Sequence, residues 1–111
     1  ATIVPTQALQ MMNSYFVNDQ AGLMARAILR EHAGSPTAQV DKVYWRTLSR
    51  PPERAERKDC LQFLRMMAND HRQQLSGDNL SRNELASTIE ARALEDLCHV
   101  AFNLNEFVFQ Q

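Results

Sequence analysis

The side chains able to do chemistry in this chain are His32, His71 and His99, Cys60 and Cys98, and carboxylates such as Glu95 and Asp96. A zinc or di-metal centre needs a set of His, Cys or carboxylate ligands at the spacings of such sites, and none of the three histidines belongs to one. Cys98-His99 matches the end of a c-type haem attachment motif, but Glu95 stands where that motif needs its first cysteine. His71 follows Met67 by four residues on one helical face; a lone histidine at a bundle edge reads as a solvated or hydrogen-bonded structural residue. The serines lack a G-x-S-x-G elbow, and sequence spacing identifies no carboxylate partner for any histidine. Glu95 and Asp96 are adjacent, so on a helix they project about 100° apart and read as solvated surface. Gly22, Gly34 and Gly77 are too scattered for a phosphate loop. The expectation is a segment with no catalytic set, no metal site and no cofactor of its own.

Charge is unevenly placed. Residues 41–72 carry a net +3 and residues 73–111 a net −4. Lys58, Arg65 and Arg72 recur every seven residues as a basic stripe, next to a helix corner that suggests a helix-turn-helix. Glu53, Glu56, Asp59 and Asp70 interleave with the stripe, and Pro-Pro is a poor turn for that motif. Nucleic acid is therefore not the expected partner.

The elements that must position these groups are helices. The 111 residues are 44% apolar with a net charge of −1, which suits one domain, residues 1–111, with a self-standing core. The polar residues between Ala1 and Asn18 exclude a membrane span there. The chain opens on Ala1 with no signal-peptide pattern, as expected of a piece excised from a longer protein. Thr6 can cap a short first helix to about Met12, and Ser14 the next. Ala21, Met24 and Ile28 share a face with Val17, giving an amphipathic helix from about Tyr15 to His32, ended by Gly34 and Pro36. A third helix over about Thr37–Ser49 turns Val40, Val43, Tyr44, Thr47 and Leu48 inward. Arg50-Pro51-Pro52 is a corner, with Pro52 suited to the first turn of a fourth helix reaching about Leu75. That helix buries Leu61, Leu64, Met67 or Ala68 and the stem of His71, and Ser76-Gly77-Asp78-Asn79 breaks it. Ser81 and Glu84 form a capping box for a long last helix, whose Leu85, Ile89, Ala93, Leu97 and Ala101 step by four. Asn103 or Asn105 can end it, leaving Phe107-Val108-Phe109 as an apolar tail that folds back. The expected fold is all-α: a compact bundle of four principal helices plus a short N-terminal one. Cys60 and Cys98 could close a loop of 37 residues, but both lie among apolar neighbours on helices, where free thiols act as small hydrophobes.

Three ordered stretches together resemble the carboxy-terminal part of the planctomycete secreted-protein family of unknown function. They are Pro5-Thr6-Gln7-Ala8-Leu9 to Gln20-Ala21, Val43-Tyr44 to Arg50-Pro51-Pro52 with Glu56, and Asp96-Leu97-Cys98-His99 to Asn103-Leu104-Asn105-Glu106-Phe107-Val108. The chain departs from the family pattern at Ser49, where a glycine is usual, and at Glu53, where a threonine is usual. The first makes a left-handed backbone less comfortable, and the second removes the hydroxyl half of a capping box with Glu56. The resemblance implies a large exported parent, often carrying a planctomycete-type cytochrome c domain upstream, and hence an extracytoplasmic location, periplasmic or at the cell surface. That setting adds weight to a disulfide between Cys60 and Cys98, without overturning the reading of both as buried thiols. No activity travels with the family. Its motif residues Arg50, Pro51, Pro52, Asn103, Asn105, Glu106 and Phe107 read as helix-boundary and packing residues.

Two functions follow as expectations. The first is a non-catalytic helical module that packs against upstream domains of its own chain or a protein partner, with Arg50, Phe107 and Phe109 at the contact. The alternative is a structural part of an extracellular redox or polysaccharide-active enzyme whose active site lies upstream. That alternative calls for a concave pocket uniting Arg50, Glu106 or Asn103 with His99.

Overall fold

A computed structural model describes the backbone of residues 6–110 and the side chains of residues 19–103. Among the described residues the chain forms four helices and no strand: α1 (Thr6–His32), α2 (Pro36–Leu48), α3 (Arg54–Leu75) and α4 (Arg82–Gln110). The all-α bundle expected from the apolar periodicity is what forms.

Two boundaries differ from expectation. No separate leading helix exists, because α1 runs unbroken through Asn13 and Ser14. Those residues lower helix propensity by only about 0.5–0.7 kcal/mol each, which a 27-residue helix with neither Gly nor Pro at that point absorbs. Likewise α4 continues through Asn103 and Asn105 to Gln110, so neither asparagine ends it and Phe107-Val108-Phe109 belongs to the helix. Ser49 is the residue other than glycine with positive φ among the described residues. The side chains of Asn105, Glu106, Phe107 and Phe109 lie outside the described residues.

The other ends follow local chemistry. Gly34, at φ 79°, turns the chain out of α1, and Pro36 occupies the start of α2, where a missing N–H is harmless. Pro52 stands one residue before the α3 N-cap Glu53 instead of inside the first turn, and it is buried. Ser81 Oγ accepts the Glu84 N–H at 3.2 Å, the hydroxyl half of the expected box.

Helix α4 is the centre of the bundle. It packs against α1, α2 and α3, while α1 and α3 share no contact among the described residues. The reason lies in its sequence: Ile89, Ala93 and Leu97 make one apolar ridge and Leu94 and Cys98 a second beside it, so two faces are buried at once. Ala21, Met24, Ala25 and Ile28 of α1, Val40 and Val43 of α2, and Leu64 of α3 close around those ridges. Small residues bring α1 close to α4; a Cβ on Gly22 would meet Glu95 Oε1 at 3.4 Å.

One buried polar side chain stitches the far end. Gln39, 2% exposed, donates from Nε2 to the His32 carbonyl at 2.9 Å and to Glu90 Oε2 at 3.1 Å. Glu90 Oε2 also accepts the Gly34 N–H at 2.6 Å, so the α1–α2 turn is pinned to α4 by one carboxylate.

Candidate functional site

The Arg50-Pro51-Pro52 corner is a closed clamp. Ser49, the C-cap of α2, adopts φ 57° and ψ 32°, the left-handed conformation, and its N–H donates to the Trp45 carbonyl at 3.2 Å. This swings Arg50 over the Tyr44 ring, 5.4 Å from its centroid. From there the guanidinium makes a bidentate pair with Glu56, 2.8 and 2.9 Å, and donates to the Pro51 carbonyl at 3.0 Å. Glu56 Oε1 in turn accepts the Glu53 N–H at 2.8 Å, the carboxylate half of a capping box that survives the loss of a threonine at position 53. The Arg50 hydrogen bonds first, and the Glu53 N–H second, hold the Glu56 carboxyl down at about 2. Arg50 thus joins α2 to α3, beside the Arg57–Asp41 pair at 3.0 Å, through three hydrogen bonds from a guanidinium that stays 44% exposed.

The cysteines are free thiols, not a disulfide. Cys60 on α3 donates from Sγ to the Tyr44 hydroxyl at 3.8 Å, and burial raises both the thiol and, most strongly, the phenol. Cys98 on α4 is wholly buried, and burial, with Glu95 adding to it, pushes its thiol up to about 12. Each sulfur thus occupies its own packing site.

Sequence spacing missed one pair. His71 Nε2 and Asp96 Oδ2 lie 2.6 Å apart, joining α3 to α4 across 25 residues of chain. A His–Asp pair is how many enzymes orient a general base. Here the nitrogen that would meet a substrate, Nδ1, is itself buried with no hydrogen-bond partner among the described residues. The pair therefore works as a tether, and His71 is half-buried on the inner edge of α3. The signal that could have found it is that His71 and Asp96 fall on the inner edges of α3 and α4, a relation visible only once the pairing of helices is known. No three His, Cys, Asp or Glu residues cluster as a metal site would among the described residues.

Among the described residues a groove of about 550 Å³ opens between α3, α4 and the start of α2. Leu61, Leu64 and Ala68 from α3 and Leu85, Ile89 and Ala93 from α4 make its walls and floor. Arg65, Arg72 and Arg82 stand on it as the charged members, with Gln39, Pro36 and Glu90 at one end. A shallower cleft of about 310 Å³ continues from it, sharing Leu61 and Arg65 and adding Arg54, Arg57 and Lys58. Neither contains Arg50, Asn103 or His99, so the residues proposed from sequence to meet in one pocket do not meet in these. No helix is long and apolar enough to cross a membrane among the described residues.

No match was found among the curated proteins or among the solved structures. A family model does match, over residues 1–64: PSD1, described as a protein of unknown function, DUF1553. The matched span takes in α1, α2, the Arg50-Pro51-Pro52 corner and the first half of α3, and with them two of the three stretches that carried the sequence resemblance. The third, from Asp96 to Val108, lies beyond it. With more than half of its length matched, the chain belongs to the PSD1 family of proteins of unknown function.

Proposed function

We propose that this segment is a non-catalytic helical docking module, seated against another protein surface through the groove between α3 and α4. The observation that carries this reading is the groove itself: about 550 Å³ of mostly aliphatic concavity on a small bundle. Water in contact with such a floor is released when a complementary apolar surface covers it, at roughly 25 cal/mol per Å². The other candidate chemistry supports the same side. Arg50 is engaged by Glu56 and Pro51, and the free nitrogen of His71 is buried.

The resemblance to planctomycete secreted proteins extends the proposal to context. On that footing the segment is the carboxy-terminal part of a large exported protein, held outside the cytoplasm and packed on upstream domains of its own chain. Hydrogen exchange tests the docking reading. Peptides covering residues 61–72 and 82–93 exchange more slowly in the intact parent protein than in the 111-residue chain, while the outer face of α1 is unchanged. Equal exchange in both would contradict a covered groove.

A further inference from the structure

The distribution of charge along α3 says what kind of surface fills the groove. At about 100° per residue, Arg54, Lys58, Leu61, Arg65, Ala68 and Arg72 fall within roughly 40° of a single line down that helix. Over the 18 steps from Arg54 to Arg72 the line is about 27 Å long. Glu56, Asp59 and Asp70 project roughly 140–200° away from it. These three acids therefore stand on the other side of the helix and do not neutralise the stripe, while Glu53 precedes the helix as its N-cap. Arg57, at the edge of the line, is neutralised by Asp41. Arg54, Lys58, Arg65 and Arg72, with Arg82 from α4, pair with no carboxylate among the described residues. Glu90 is the acid in the groove, and its Oε2 is occupied by the Gly34 N–H and Gln39.

We propose that this trough receives an acidic amphipathic helix of the parent protein, an inference that rests on the docking reading above. Its apolar side chains, spaced i, i+3, i+4 and i+7, meet the accessible Leu61, Ala68, Leu85 and Ala86 above the buried floor, and its flanking Asp and Glu meet Arg65, Arg72 and Arg82. About 18 helical residues match the 27 Å line. Charge and shape act together: the cations steer and orient the helix, while the part-exposed Leu61, Ala68, Leu85 and Ala86 supply the contact area. A flat anionic bilayer does not fit, because Leu64, Ile89 and Ala93 are 7%, 5% and 4% exposed and lie below the reach of a plane. A nucleic acid strand does not fit either, since no aromatic side chain lines the trough to stack a base.

The test is a titration of the 111-residue chain against a fluorescent 18-residue synthetic helix with Leu on one face and Glu along both flanks, followed by anisotropy. A second peptide replaces every Glu by Gln. The Glu peptide binds at least about tenfold more tightly than the Gln peptide, and its affinity falls as salt rises from 50 to about 500 mM. The double variant Arg65→Ala/Arg72→Ala, both exposed and so harmless to folding, loses about tenfold for the Glu peptide alone. Equal affinity for both peptides, or no binding of either, overturns the acidic helix. Binding of phosphatidylglycerol vesicles through Arg65 and Arg72 in place of the peptide overturns it in favour of a membrane surface. A protected groove in the parent protein, combined with no preference for Glu, would discard the acidic occupant and leave the docking reading intact.

Discussion

Replacing Ser49 by glycine tests the corner that joins the two halves of the bundle. Ser49 sits at φ 57° and ψ 32°, a conformation that costs an L-residue about 1–2 kcal/mol and costs glycine almost nothing. Glycine also raises the entropy of the unfolded chain, which returns about 0.4–1 kcal/mol of that gain. The net expectation is a stabilisation of about 0.5–1 kcal/mol. For 111 residues, at about 2.1 cal/mol/K of unfolding entropy per residue, this raises Tm by about 2–4 °C. Ser76 supplies the control. It is the C-cap of α3 with φ −63° and ψ −22°, and its Oγ donates to the Gln73 carbonyl at 2.9 Å. Ser76→Gly therefore loses about 0.5–1 kcal/mol by the same entropy argument run the other way. Thermal and urea unfolding followed by far-UV circular dichroism measures both, since helix dominates the signal. A Ser49→Gly variant that is neutral or less stable than the native chain would refute the left-handed assignment. So would two serines that respond with the same sign.

Acid exposes the Arg50 clamp. The Glu56 carboxyl lies near 2 in the fold against an ordinary 4.5, so its contribution is complete above about 4.5 and disappears as pH falls toward 2. Because the pair is partly exposed, Glu56→Gln costs about 0.5–1 kcal/mol at pH 7 and progressively less as pH falls from about 4.5 through 2, read from urea midpoints across that range. Asp96→Ala leaves His71 without its partner between α3 and α4 and destabilises by about 1–3 kcal/mol; urea unfolding no different from native would show that the pair holds nothing. Gln39→Leu strips Glu90 and the His32 carbonyl of a buried donor and costs about 1–3 kcal/mol, with faster exchange at the Gly34 amide. Iodoacetamide at pH 8 leaves Cys98 unmodified in the folded chain, its thiol lying near 12, and labels it on unfolding; rapid native labelling would place Cys98 outside the core.

Local and pairwise features were legible in the sequence because helical periodicity and breaker residues act over a few positions. The apolar ladder of Ala21, Met24 and Ile28, the Gly34–Pro36 stop and the α3–α4 loop all follow from that. What was not legible came from non-local pairing. His71 meets Asp96 because α3 packs on α4, and Gln39 meets Glu90 across 51 residues. The basic stripe was legible in spacing but misjudged in setting: acids close in sequence are on the far side of α3. Weak breakers also misled, since Ser14, Asn103 and Asn105 cost less than the helices gain by continuing. Ser49 is the converse, a non-glycine residue held left-handed because the Arg50–Glu56 clamp requires the turn.

The most direct test of the docking claim is a cross-link map from the groove in the intact parent protein. A photo-reactive side chain placed at Ala86, which lines the groove and is exposed in the 111-residue chain, is irradiated and its adducts are located by mass spectrometry. The same group at Arg92, also exposed on α4 but outside the groove, is the reference. The docking account predicts adducts from Ala86 concentrated on one short segment rich in Leu and acidic residues, with none there from Arg92. Adducts scattered alike from both positions, or solvent quenching at Ala86 with no protein adduct, would contradict it.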